Sequence, residues 1–212
     1  MKHHPYAPIA PRLPEAETID PREILQSGGR PIELEIGPGR GGFILERLEA
    51  APEARMLGLE IRLKWATLVD RKLGERGLHS RARVFAEDAR AAIRRFPDGC
   101  LEAVFIHFPD PWWKKRHQKR LVMGDALLAE LSRTLRPGGQ VFLQTDVEER
   151  ASFAQALLDA NPHFSPKYAS ARIEENPFLA RSPRERRAIQ DGLPIYRLLY
   201  ERRAAEPAAS VP

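Results

Sequence analysis

The densest chemistry in the chain lies in Phe108-Pro109-Asp110-Pro111-Trp112-Trp113-Lys114-Lys115-Arg116-His117-Gln118-Lys119-Arg120. One carboxylate, Asp110, stands between two prolines. These fix their own φ and bias Phe108 and Asp110 toward extended backbone, so the acid is expected on a stiff chain. The lysines and arginines that follow suit phosphates, and the two indoles beside them can stack on a base or ribose. The set predicts an RNA cradle next to an oriented acid. The plainer alternative is a solvated charged face with the indoles packed against the core; cations, indoles and a proline-clamped acid together directly beyond the sheet favour the cradle.

A second set is Glu35-Ile36-Gly37-Pro38-Gly39-Arg40-Gly41-Gly42-Phe43. Gly37, Gly39 and Gly42 spell G-x-G-x-x-G, a loop that lets a nucleotide-type ligand approach the backbone, and Glu60 follows about 20 residues on. Glu60 could accept hydrogen bonds from both ribose hydroxyls, which serves a nicotinamide dinucleotide and S-adenosylmethionine alike. Glu35 separates the two: a carboxylate beside the loop repels a pyrophosphate but suits ammonium and sulfonium charge. Asp88 either orients an adenine amino group or caps the helix beginning near Ala89.

These residues need a scaffold that brings them to one edge. Ile32 to Ile36, Met56 to Glu60, Arg83 to Ala86, Leu101 to Phe108 and Gln140 to Asp146 have strand patterning, and amphipathic helical stretches separate most of them, which predicts a parallel sheet with crossovers. Leu101 to Phe108 is interrupted only by Glu102 and His107, as suits a central strand covered on both faces. A helix from about Asp125 to Leu135 should stop at Pro137-Gly138-Gly139. Residues 1–21 carry Pro5, Pro8, Pro11, Pro14 and Pro21 and are expected as an extended or mobile arm, residues 22–203 as one catalytic domain, and 204–212 as an unstructured tail.

The chain has 212 residues, enough for one core without disulfides or metals. Its 34 basic and 29 acidic residues leave a net charge of +5, compatible with a polyanionic partner. Cys100 is the only cysteine, which excludes an internal disulfide and a multi-thiolate metal site and fits a reducing compartment, the cytoplasm. No apolar run approaches the roughly 20 residues that cross a bilayer. No metal is expected, since neither Cys100 nor the histidines have partners at ligand spacing. A monomer and a homodimer fit equally.

With these motifs the chain resembles the bacterial tRNA (guanine-N7)-methyltransferase family, whose marks are an E-x-G-x-G-x-G loop and an F-x-D-P-W-P-K-K-R-H segment. The likeness spans roughly residues 30–203 and extends to Gly58-Leu59-Glu60, Asp88, Thr145-Asp146 and Gly192-Leu193-Pro194-Ile195-Tyr196-Arg197. It implies a Rossmann-like class I methyltransferase fold, a seven-stranded, mostly parallel α/β sheet whose final antiparallel strand Ile195 to Arg202 would supply. It also implies S-adenosylmethionine as methyl donor and a guanosine in the tRNA variable loop as acceptor. Glu35, Glu60, Asp88 and Asp110 would line the donor pocket, with Asp110 where donor and base meet. Lys114 and Asp146 would contact RNA. Trp113 departs from the family's proline, and Ser182-Pro183-Arg184-Glu185 stands where a T-x-[FY]-E substrate segment belongs.

Guanine N7 offers an in-plane lone pair, so methylation there needs no general base, and Asp110 is expected to act by orientation and charge. Lys115, Arg116, Lys119 and Arg120 would join Lys114 on phosphates, with Arg62, Lys64, Arg71 and Lys72 extending the surface. The competing readings are an NAD(P)-binding oxidoreductase on the same loop and a non-catalytic RNA-binding module on the same fold.

Overall fold

Alternation along Ile32–Ile36 (β1) divides the protein into two apolar layers. Ile32, Leu34 and Ile36 join one buried cluster, while Glu33 turns to the other face, where Arg47 clamps it through both oxygens at 2.7 and 3.0 Å. The computed structural model describes residues 9–109 and 123–204. Its further elements are α1 (Pro21–Ile24), α2 (Gly42–Ala50), β2 (Met56–Leu59), α3 (Leu63–Glu75), β3 (Ala82–Phe85), α4 (Ala89–Ile93), β4 (Leu101–His107) and α5 (Asp125–Thr134). They continue with β5 (Leu135–Thr145), α6 (Glu148–Asp159), β6 (Phe164–Pro166), β7 (Arg172–Ile173), α7 (Pro183–Gln190) and β8 (Tyr196–Arg202).

All strands belong to one sheet of order β3-β2-β1-β4-β5-β8-β6, with β7 beside β6 on the outer edge of β8. The first five strands are parallel and β8 runs antiparallel to β5, so the expected mostly parallel sheet with its late reversed strand is what forms. Seven strands lie on the path, and β7 is a short eighth. The apolar run Leu101–His107 takes the central place its composition demanded. Leu128, Leu131, Ala154 and Leu158 of α5 and α6 cover the face of Leu34; Phe43, Ile44, Val69 and Leu73 of α2 and α3 cover the opposite face.

The structure departs from the sequence expectations at three places. Pro137-Gly138-Gly139 was expected to precede the fifth strand, but Leu135 already pairs with Leu101, and the register then jumps to Ala103↔Gln140. The four intervening residues form a bulge within β5, turning at Gly138 with φ +74°. Residues 9–20 form no helix or strand, yet they are docked rather than loose. Ala10, Leu13 and Ile19 are buried, the Ile19 amide donates to the Arg95 carbonyl at 2.7 Å, and the Leu13 amide donates to Glu87 at 3.1 Å. Phe108, expected in extended backbone because a proline follows, has φ +45°.

Candidate functional site

The turn between β1 and α2 is left-handed at Gly37, Gly39 and Gly41. Gly41 shows why a side chain is excluded: at φ +75°, a Cβ would also lie 2.5 Å from the Val69 side chain. Glu60 is buried at the end of β2, and both of its oxygens are held by backbone. The Gly39 amide donates to Oε2 at 3.0 Å, and the Arg62 amide donates to Oε1 at 2.9 Å. The acid read as a ribose acceptor therefore also locks the glycine loop onto β2, and each oxygen retains a lone pair for a ligand.

A cavity of about 660 Å³ opens at the carboxyl ends of β1 to β4, where open α/β sheets bind ligands. Gly37, Glu60, Asp88, His107, Phe108 and Pro109 line it, with Phe153 of α6 closing one side. Asp88 caps α4, accepting from the Arg90 amide at 3.0 Å, and it also lines the cavity. The Arg90 guanidinium, bonded to the same carboxylate at 2.7 Å, holds Asp88 below the usual carboxylate range. Phe108 stores backbone strain at the cavity wall, since a bulky residue before proline is disfavoured with positive φ.

Three of the residues selected for the donor, Gly37, Glu60 and Asp88, share this cavity with Arg62, which had been selected for phosphates, and Gly39 reaches it through Glu60. Glu35 does not line it. Its buried carboxylate lies behind His107, with Oε1 3.2 Å from Nδ1. Asp110 and Lys114 lie outside the described residues, as does the rest of the Trp112 to Arg120 segment.

Asp146 and Arg184 form an ion pair at the end of β5. Ser182 is buried and caps α7, its Oγ accepting from the Glu185 amide at 3.1 Å, so S-x-x-E works here as an N-cap signal. Pro183 packs on Gly42, where a Cβ would stand 2.4 Å from its ring. Glu185, expected to contact substrate, is fully buried, and its carboxylate accepts from Gln144 at 2.9 Å, Asn176 at 3.1 Å and Arg197 at 3.0 Å.

Gln144 and Asn176 escaped the sequence reading, His107 entered it only as an interruption of a strand, and Arg197 only as part of the Gly192 to Arg197 stretch and the final strand. His107 and Gln144 are register partners across β4 and β5, as are Gln144 and Arg197 across β5 and β8. Glu35 Oε2, His107 Nε2, Gln144 Oε1 and Arg197 Nε, all buried, have no hydrogen-bond partner among the described residues. Together they form a polar row just behind the cavity. The only sequence signal was a polar residue ending each of two apolar strands. Among the described residues no cluster of His, Cys, Asp and Glu could hold a metal, and no helix is long and apolar enough to cross a membrane.

A family profile described as "Putative methyltransferase" matches residues 29–198. The tRNA (guanine-N(7)-)-methyltransferase of a Synechococcus species is 39% identical over 175 residues, 82% of this chain and 74% of that one. The protein of the same name from Microcystis aeruginosa is 34% identical over 203 residues, 94% of this chain and 93% of that one. Among solved structures, geranyl diphosphate C-methyltransferase from Streptomyces coelicolor, in complex with Mg2+, geranyl diphosphate and S-adenosyl-L-homocysteine, aligns with a TM-score of 0.54. It covers 86% of this chain and 76% of that one at 15% identity, a likeness of fold alone.

Proposed function

Because the chain belongs to the tRNA (guanine-N7)-methyltransferase family, we propose that it transfers the methyl group of S-adenosylmethionine to N7 of a guanine in the variable loop of cytoplasmic tRNA. The observation that carries the reading to this chain's own residues is the shared cavity of Gly37, Glu60 and Asp88 at the sheet's carboxyl edge. The residues fit the donor. A cavity of about 660 Å³ is within the size of small-molecule sites, roughly 300–1,000 Å³. Its apolar walls, Ile36, Leu59, Ile106 and Leu143, suit a purine, and its acids suit hydroxyl, amino and cationic groups. The relatives' name favours this reading over the oxidoreductase and the non-catalytic RNA-binding module.

S-adenosylmethionine would supply a methyl group activated on a sulfonium. The chain's own task is mainly positioning, because N7 carries a lone pair and no proton. Holding two reactants in a near-attack pose contributes up to about 7–11 kcal/mol. Asp110, next in sequence to the cavity-lining Pro109, is assigned the second role. It is a fixed carboxylate that favours the positive charge gained by the purine, and it accepts hydrogen bonds from guanine N1 and N2. Lys114 and its cationic neighbours take phosphates, and Asp146 with Arg184 forms the acceptor side.

The test supplies methyl-labelled donor with unmodified tRNA and with tRNA whose variable-loop guanosine is replaced by its 7-deaza analogue. Label should enter only the first. Equal labelling of both would reject N7 as the acceptor.

A further inference from the structure

Ala86 is fully buried, yet it follows β3, the outermost strand on its side of the described sheet. An edge strand offers its peptide groups to no further strand, and buried peptide groups must be paired. The N-terminal arm supplies both partners. The Ala86 amide donates to the Pro11 carbonyl at 3.2 Å, and the Ala86 carbonyl accepts from the Arg12 guanidinium. To either side, the Ala10 amide donates to Thr67 Oγ1 of α3 at 2.9 Å and the Leu13 amide to Glu87 at 3.1 Å. A second fastening lies beyond α4, where the Ile19 amide donates to the Arg95 carbonyl at 2.7 Å and Arg95 Nε to the Ala16 carbonyl at 2.8 Å. Ala10 joins the apolar layer of α2 and α3, and Leu13 and Ile19 join the opposite layer, so the arm wraps the sheet edge.

The strapped segment is one wall of the cavity. Glu87, Asp88, Ala89 and Arg90 line it, and the arm is fastened before α4, at Ala86 and Glu87, and after it, at Arg95. The same turn reaches the second acid, because the Phe85 carbonyl accepts from the Glu60 amide at 3.0 Å. No residue of the arm lines the cavity itself. We propose that Arg12 and Leu13 are positioning residues for the donor: by pinning Ala86 and Glu87 they fix Glu60 and Asp88 relative to each other. This rests on S-adenosylmethionine being the ligand, with its adenosine between those two acids. A wall already held in place spares the ligand the cost of ordering it. The adenosine is common to S-adenosylmethionine and its product, S-adenosylhomocysteine, so the strap strengthens both alike.

The experiment is calorimetric titration of the purified full chain with each ligand, alongside thermal melts and amide hydrogen exchange. Arg12→Ala is the first variant, because the side chain is 64% exposed and its loss leaves the core intact. It should weaken both ligands by up to about tenfold, the scale of a lost hydrogen bond. Leu13→Asp, which places a charge in the apolar layer and drives the arm off, should weaken them further. Arg12→Lys, which keeps a donor for Ala86 and a charge for Glu87, should recover most of the affinity. In wild type, adding S-adenosylmethionine should slow exchange at the Leu13 and Ala86 amides, since what the strap does for the ligand the ligand does for the strap. A merely structural arm would lower Tm in these variants and leave both affinities and the exchange untouched; that result in Arg12→Ala overturns the proposal. Should Leu13→Asp not fold, Arg12→Ala and the wild-type exchange decide. Wild type binding neither ligand rejects the donor and the proposal with it, whereas unchanged variants of a wild type that binds both reject the strap alone.

Discussion

Replacing Glu185 with alanine should unfold the protein far more readily than a substrate contact would require. The side chain is fully buried, and Arg197, 10% exposed, is its ion-pair partner at 3.0 Å. Gln144 and Asn176 donate to the same carboxylate at 2.9 and 3.1 Å. Truncation strands a buried guanidinium whose Nε already lacks a partner. Removing one member of a buried pair costs about 3–5 kcal/mol. For a chain of this size each kcal/mol lowers Tm by roughly 2–4 °C, so a fall of roughly 6–20 °C is expected. Glu185→Gln keeps an acceptor oxygen but turns an amide toward other donors, and should fall between. Circular-dichroism melts and urea midpoints measure both. If Glu185→Ala melts within about 2 °C of wild type while losing turnover on tRNA, the hub assignment fails and the direct substrate role implied by the family motif stands.

Gly42→Ala places a Cβ 2.4 Å from the Pro183 ring, so it should cost about 1–3 kcal/mol in urea denaturation; an unchanged midpoint would contradict the packing of α7 on the glycine turn. Burial pushes the Cys100 thiol up to about 12, and burial with the Asp159 hydrogen bond pushes the Tyr200 hydroxyl up. The unfolded chain releases these protons first, near pH 8.5 and 10, so the stability they confer is complete below about pH 8.5 and lost as pH rises through the folded values. Tyr200→Phe should flatten the decline above about pH 10, and an identical slope would discount Tyr200. Asp110→Asn should cut methyl transfer by at least about a hundredfold while tRNA affinity holds, and unchanged turnover would remove Asp110 from the mechanism. Lys114→Ala should weaken tRNA binding and reduce the salt slope by about 1; an unaltered slope would place the phosphates elsewhere.

Local patterning made the central sheet legible. Strands such as Leu101–His107 are apolar on both faces, and their order follows from crossovers that every βαβ unit shares. The glycine turn and Glu60 were legible because a loop that admits a ligand needs specific residue types. What stayed hidden depends on partners distant in sequence. The arm around Leu13 looked unstructured because its proline spacing carries no periodicity, yet amides of Ala10, Leu13 and Ile19 bonded to distant residues, with a few buried apolar side chains, dock it. The β5 bulge could not be seen because Pro137-Gly138-Gly139 has the same signature inside a strand as before one. Phe108 adopts a conformation its local sequence disfavours while its amide pairs with the Gln144 carbonyl at 2.7 Å, a partner distant in sequence. His107 looked like an interruption, since nothing local reveals that Glu35 lies across the strand from it.

The departures at Ser182 to Glu185 acquire a physical meaning from what α7 touches. Pro183 seats the helix on Gly42, and Arg186 reaches Glu46 at 2.5 Å, so one side of α7 rests on the helix that opens from the glycine turn. Glu185 bonds Gln144 and Arg184 pairs with Asp146, so its other side grips the end of β5. Pro183 and Arg184 thus tie the glycine turn and the end of β5 to one short helix. A glutamate facing the RNA could not do this, because solvent would screen it and leave Arg197 unpaired. Buried, it fixes α7 against the end of β5 in a segment that resembles a substrate contact.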